Sequence, residues 1–204
     1  FITWARPCIV LSHPDPVKVI LKTSEPKSIS AGGGYGLLKP WLGDGLLVSS
    51  GDKWFRNRRL LTPGFHFDVL KPYISIYNEA ADKLIGKWTK ASEEGSSTEI
   101  YSPVSLCTLD VMLRCAFSYE SDIQYNDNKY VKTVNSLAEL TIERSLKPWL
   151  LVDWIYYMLV RGKTYKENVS YAHKIAYELI DKRSEVLKSD KDVKEKKYVD
   201  FLDI

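Results

Sequence analysis

Between positions 68 and 88 the chain repeats apolar residues at three- and four-residue steps: Leu70, Tyr73, Ile74, Tyr77, Ala80, Ala81, Leu84, Ile85 and Trp88. This is the period of an α-helix that lays one face on a core; a strand would alternate every second residue. Nothing reactive sits on that face, so it is packing surface. Three further segments are helical. Residues 104–117 are apolar almost all round, which predicts a buried helix, with Ser102 as its cap and Pro103 in its first turn. On it Asp110 and Arg114 stand four apart, the spacing of an ion pair. Residues 130–146 carry Val131, Val134, Leu137, Ala138 and Thr141 on one side. Residues 163–187 carry a stripe of Tyr165, Val169, Ala172, Ala176, Leu179, Arg183 and Val186. Strand signals are confined to residues 1–13, read as two short strands broken at Pro7, and to residues 98–101. The fold class is mainly α with a small β portion.

The connecting segments exclude several chemistries. Asp15 and Pro16 open a short helix to about Leu21. Residues 26–36 read as a loop whose glycine cluster lacks the Lys-Ser/Thr that follows in a phosphate-cradling loop. Residues 39–48 are short, apolar and glycine-punctuated, and residues 122–128 are a loop. Residues 181–197 mix both charge signs as a solvated helix end does, before residues 198–204 restart an apolar pattern. A net charge of +3 is far from that of a general nucleic-acid binder. The 6 Trp and 13 Tyr suggest a large core or an apolar ligand surface. Cys8, Cys107 and Cys115 show no metal-ligand spacing and read as reduced, buried thiols. The Asn168-Val-Ser170 pattern falls on a helix and reads as chance. No apolar run reaches the ~18 residues of a membrane span.

The most chemically loaded stretch is Gly51-Asp-Lys-Trp-Phe-Arg-Asn-Arg-Arg-Leu-Leu-Thr-Pro-Gly-Phe-His66. Ser49, Ser50 and Asp52 offer N-cap chemistry and Thr62-Pro63-Gly64 a stop, so roughly three turns of helix fit between them. Trp54 and Arg58 are four apart and share a face; Lys53, Arg56 and Arg59 lie around the other side. A face of indole and guanidinium is expected to meet an anion in a sheltered place.

Trp54-x-x-x-Arg58, preceded by Trp41-Leu-Gly-Asp-Gly-Leu-Leu-Val48 and followed by Leu61-Thr-Pro-Gly-Phe-His-Phe-Asp-Val-Leu-Lys-Pro-Tyr73, resembles the helix C region of a cytochrome P-450. The longer match resembles the family-4 branch, the fatty-acid omega-hydroxylases. The resemblance implies that residues 1–204 are the N-terminal portion of the catalytic domain, about helix B to helix H, truncated at both ends. It implies that Trp54 and Arg58 hydrogen-bond a propionate of heme (iron protoporphyrin IX). Guanidinium does pair well with carboxylate, and indole offers only a donor. By the same resemblance Trp41, Leu42, Leu46 and Leu47 are substrate-channel candidates. Lys53, Arg56 and Arg59 become candidates for docking NADPH–cytochrome P-450 reductase, with cytochrome b5 as a possible second partner.

The expected function is that of a heme-thiolate monooxygenase acting on long-chain fatty acids or eicosanoids, with O2 and electrons that reach it from NADPH through the reductase. The family's axial cysteine lies in Phe-x-x-Gly-x-x-x-Cys-x-Gly, a context that Cys8, Cys107 and Cys115 lack; Glu-x-x-Arg is absent too. No catalytic residue and no metal ligand is therefore expected within this chain; the axial cysteine is expected beyond Ile204, and the 204 residues alone are expected to be inactive. Two other classes stay open: a non-catalytic all-α binding or assembly module, and a nucleic-acid module using Lys53, Arg56, Arg58 and Arg59.

Residues 149–160, from Trp149 to Val160, are apolar or aromatic except for Asp153. At ~1.5 Å per residue, twelve residues cannot cross a ~30 Å hydrocarbon core. Trp149, Trp154, Tyr156 and Tyr157 are residue types that settle at a membrane boundary. The segment is expected to dip into the cytosolic leaflet of the endoplasmic reticulum, where a lipid substrate could enter; a buried loop is the alternative.

Overall fold

Proline, glycine and a few side-chain caps decide where the helices of this chain stop. The computed structural model describes residues 2–3, 6–7, 9–23, 34–117, 123–125 and 129–189. The strands β1 (Ile2–Thr3) and β2 (Arg6–Pro7) pair antiparallel, with Ile2 opposite Pro7 and Thr3 opposite Arg6. Both strands thus lie before or at Pro7, and residues 9–12, expected to be strand, are irregular. Proline has no N–H to extend the ladder. The helix α1 (Pro14–Leu21) follows, its Asp15 N–H donating to His13 Nδ1 at 3.4 Å.

Next comes α2 (Gly34–Leu42), which turns Gly34 to Gly36, expected to be loop, into helix. Gly43 at φ +62° ends it, in a left-handed conformation that glycine tolerates freely. After α3 (Gly51–Leu61), a 3-10 turn over Thr62–Phe65 leads to α4 (Phe67–Leu70) and α5 (Tyr73–Glu93). The single helix expected over residues 68–88 is thus two, divided at Lys71 and Pro72. Proline offers no N–H and crowds the turn before it.

Helix α6 (Tyr101–Phe117) packs on α5. The strand expected at residues 98–101 is instead a cap. The Glu99 carboxylate accepts the backbone N–H of Tyr101 at 2.6 Å and of Ser102 at 2.8 Å, so α6 starts two residues earlier than Ser102 and Pro103 suggest. A carboxylate there satisfies orphan donors and suits the positive end of the helix dipole.

The buried residues of α5 are Ala80 and Leu84, and those of α6 are Asp110, Leu113 and Cys115. Ile74, Tyr77, Ala81 and Ile85, four of the nine residues of the expected stripe, face solvent. The covered side of α5 is marked by Ala80 and Leu84, with half-buried Tyr73, Ile76 and Trp88. Asp110 and Arg114 do not pair. Arg114 reaches Glu79 on α5 at 2.5 Å, and fully buried Asp110 accepts from Gln124 Nε2 at 2.9 Å, in a 3-10 turn over Ile123–Tyr125. Partners on neighbouring elements outcompete an i,i+4 pair that would point both groups along one helix.

Three helices complete the chain: α7 (Lys129–Leu146), α8 (Asp153–Met158) after a 3-10 turn over Pro148–Leu151, and α9 (Val160–Ser189). Their core is Leu137, Leu150, Tyr156, Tyr165 and Ala172, with Trp41, Tyr130, Leu140, Tyr157 and Val169 packed around it. Each such buried large side chain contributes about 1.5–3 kcal/mol. Helix α2 rests on both α7 and α9. Cys8, most of the loop expected at residues 122–128 and the pattern at 198–204 lie outside the described residues.

Candidate functional site

Helix α3 is built at the surface. None of its residues is buried, and Phe55 and Leu60 are exposed. Ser50 is the N-cap but makes no side-chain cap bond, so the first turn relies on Asp52 against the helix dipole and on Gly51 at φ +60°. At the other end the Thr62 hydroxyl donates to the Arg58 carbonyl at 2.7 Å. Arg58 and Arg59 occupy the last turn, where the dipole favours cations.

Trp54 is half-buried and meets Phe55 edge-on at 5.1 Å. One turn on, Arg58 is exposed rather than sheltered, because no described element covers this face. The indole and guanidinium groups have donors and no acceptors, so this face suits a carboxylate. That donor set fits a heme propionate. Arg56 and Arg59 are also exposed. Lys53 is committed elsewhere: its Nζ lies 2.5 Å from Asp44 Oδ2 and, by hydrogen bond and charge, holds the Asp44 carboxyl below its usual range.

The four channel candidates separate. Trp41 and Leu42 line a cavity of about 420 Å³ together with Tyr130, Ala172, His173 and Tyr177. Half-buried Leu46 and exposed Leu47 follow the turn at Gly43 and do not line it. Two contacts absent from the sequence reading hold α2 here: Tyr165 hydroxyl to the Leu37 carbonyl at 3.2 Å, and His173 Nε2 to the Trp41 carbonyl at 2.7 Å. Tyr165 already stood on the expected stripe of residues 163–187, and His173 could have been flagged as a titratable residue beside it.

Residues 149–160 divide as well. Leu150 and Tyr156 are buried at 3% and 1% exposure, whereas Trp149, Trp154 and Met158 stand out at 59%, 67% and 70%. The expectation that all four aromatics face a membrane is therefore corrected: Tyr156 belongs to the core and Tyr157 is half-buried. The pin is Arg144, buried on α7, which donates through Nε to the Leu150 carbonyl at 2.8 Å and through Nη2 to Asp153. Beside it Glu143 takes Lys147 at 2.5 Å and also Arg161, the second residue of α9. The segment is a folded cap that exposes one apolar edge. Asn168, read as an unused glycosylation pattern, donates to Ser136 at 3.0 Å between α9 and α7.

Among the described residues no group of three or more His, Cys, Asp or Glu is placed to hold a metal ion, and no helix is long and apolar enough to cross a membrane. Cys107 donates to the Ala80 carbonyl at 3.5 Å, and burial, helped by Asp110, pushes its thiol above the usual range.

The sequence profile of the Cytochrome P450 family matches residues 3–204. A human ultra-long-chain fatty acid omega-hydroxylase is 39% identical, the match covering 97% of this chain and 38% of that protein. The rat cytochrome P450 4F1 is 37% identical, and the mouse leukotriene-B4 omega-hydroxylase 3 is 35% identical; each match covers 100% of this chain and 41% of the relative. The chain thus spans about two-fifths of the length of these curated relatives. A crystal structure of a cytochrome P450, CYP102L1, is similar in fold, with a TM-score of 0.63 at 18% identity over 83% of this chain and 37% of that one. The profile runs nearly end to end and the helices superpose on a solved member, so this chain belongs to the cytochrome P450 family.

Proposed function

We propose that these residues serve a heme-thiolate monooxygenase that hydroxylates long-chain fatty acids or eicosanoids at the omega end, taking electrons from NADPH through a reductase. The observation that carries the reading is the family match over residues 3–204 together with relatives named for omega-hydroxylation of lipids. Heme, when bound, supplies the iron at which oxygen is activated. The part of this chain is to grip and to guide. Arg58 pairs with a propionate and Trp54 donates to it. Trp41 and Leu42 border the lipid path, with Leu46 and Leu47 farther along the same loop. Arg56 and Arg59 face an acidic reductase surface, and Lys53 contributes less because Asp44 already neutralises it.

Cys107 is taken up by the Ala80 carbonyl between α6 and α5. None of Cys8, Cys107 and Cys115 stands in the family's Cys-x-Gly context, so the axial ligand is assigned to residues outside these 204. The edge formed by Trp149, Trp154 and Met158 supports contact with the cytosolic face of the endoplasmic reticulum membrane, close to where a lipid would enter.

The test is to express a protein of the relatives' full length carrying these residues, reduce it and add carbon monoxide. A red-shifted Soret band with omega-hydroxylated product from a fatty acid is the expected result. Absence of thiolate ligation in a folded, heme-loaded protein would sink the reading. The 204 residues alone are expected to give no such band.

A further inference from the structure

Helix α2 carries the two channel candidates that line a cavity, and its own end is poorly finished. Pro40 lies inside it and has no N–H, so the Gly36 carbonyl loses its usual helical partner. The Gly43 N–H still reaches the Lys39 carbonyl at 2.9 Å, but the turn there stops the ladder and leaves the carbonyls after Lys39 without intrahelical donors. A nine-residue helix interrupted in this way is marginal by itself. Its position must be set from outside.

The outside support comes from α9. Tyr165, 2% exposed, donates to the Leu37 carbonyl at 3.2 Å. Two turns further along, half-buried His173 contacts the Trp41 carbonyl at 2.7 Å. A carbonyl can only accept, so Nε2 of His173 carries the proton. Leu37 and Trp41 are one turn apart on α2, so the two bonds fix both its height and its rotation on α9. Trp41 belongs to the second bond through its carbonyl and to the cavity wall through its side chain. The cavity also reaches His173, Ala172 and Tyr177 on α9, and a larger one of about 730 Å³, lined by Pro40 of α2, shares His173 and Tyr177 with it. Any shift of α2 along α9 therefore changes the shape of both.

We propose that Tyr165 and His173 are positioning residues that latch α2 onto α9 and so set the wall formed by Trp41 and Leu42 against which a long-chain lipid packs. The lipid part of this inference rests on the omega-hydroxylase reading; the latch itself does not. Neither residue touches the reacting atoms. Their effect is on how tightly the chain of the substrate is held and at what depth.

The experiment compares His173→Phe, which keeps a ring but no donor, with His173→Gln, whose amide N–H can reach the same carbonyl, in the full-length, heme-loaded protein. Hydrogen–deuterium exchange over residues 34–48 reports the latch directly. His173→Phe is expected to speed exchange there on the order of tenfold, and His173→Gln to restore it. Equilibrium dialysis with a labelled C18 fatty acid should show the dissociation constant rising about fivefold or more in His173→Phe and recovering in His173→Gln. Tyr165→Phe, which keeps the buried ring, is the second variant and should act in the same direction. Unchanged exchange in both Phe variants overturns the latch. Faster exchange with an unchanged dissociation constant overturns the role in lipid positioning. The carbon monoxide spectrum of the same preparations reports separately whether the monooxygenase reading stands.

Discussion

The guanidinium of Arg144 lies 4.2 Å from the centre of the Tyr156 ring, and both residues are almost wholly buried, at 3% and 1% exposure. One cation thus does three things: it stacks on an aromatic, holds the Leu150 carbonyl and reaches out to Asp153. Arg144→Ala should cost about 2–4 kcal/mol, from a lost buried hydrogen bond and a lost cation–π contact on top of the packing. Arg144→Lys should recover less than half, because an ammonium cannot reproduce the planar fork. Urea unfolding measures both; an Arg144→Lys variant as stable as the parent would show that charge alone matters.

Two glycines should respond oppositely to alanine. At Gly162 a Cβ would lie 2.1 Å from the Tyr156 carbonyl oxygen and 2.7 Å from the Tyr157 Cα, both backbone atoms that cannot swing aside. Gly162→Ala should destabilise by at least about 1–3 kcal/mol as α9 is forced off α8. At Gly86 on α5 nothing lies within 4 Å, so Gly86→Ala should stabilise by up to about 1 kcal/mol through helix propensity. Denaturant midpoints of the two variants should therefore move in opposite directions.

Burial pushes the Tyr156 phenol from 10.0 up to about 12. The neutral form is thus favoured in the folded state, and its contribution is fully present below pH 10. As pH rises from 10 towards 12, the unfolded chain ionises first and stability should fall by about 1.4 kcal/mol per pH unit. Among the described residues the buried hydroxyl has no hydrogen-bond partner, so Tyr156→Phe should be neutral or slightly stabilising at pH 7 and should remove this alkaline loss. Thermal melts at pH 7, 10 and 11 would show it; an identical alkaline slope in the variant would assign the loss to other groups.

The membrane reading is tested on the exposed edge only. Trp149→Ser/Trp154→Ser/Met158→Ser in an anchor-free full-length enzyme should reduce liposome partitioning about tenfold or more while leaving the melting temperature nearly unchanged. Leu150 is left out because it is core, and its loss would unfold the cap. Equal partitioning of parent and variant would end the proposal.

Among the cations of α3, Arg58→Ala should lower heme retention more than Arg56→Ala or Arg59→Ala, by about 1–3 kcal/mol for a propionate deprived of its charged partner. The latter two should mainly slow reductase association. Heme loss measured by transfer to an apo-globin gives the ranking; equal loss in all three would place a different face against the porphyrin.

The long helices were legible because periodicity is a local property, whereas α2, α4 and α8 were not read as separate helices. The three- and four-residue spacing of Leu84, Leu137, Ala172 and their neighbours needs a helix whatever surrounds it, and the run around Trp54 and Arg58 carries its family pattern in consecutive residues. Which apolar residues became core was not local. Ile74, Tyr77, Ala81 and Ile85 have the periodicity of buried residues yet are exposed, because α5 covers only the side of that stripe that carries Ala80 and Leu84. Partner choice was equally hidden. Asp110 and Arg114 sit at pairing distance along one helix, but Gln124 and Glu79 approach them from other elements with better geometry. Arg144 under the cap, Gly162 against Tyr156, and the grip of Tyr165 and His173 on α2 join residues 6 to 132 positions apart. A sequence specifies the groups that can make such contacts; only the packing of one helix on another decides which of them meet.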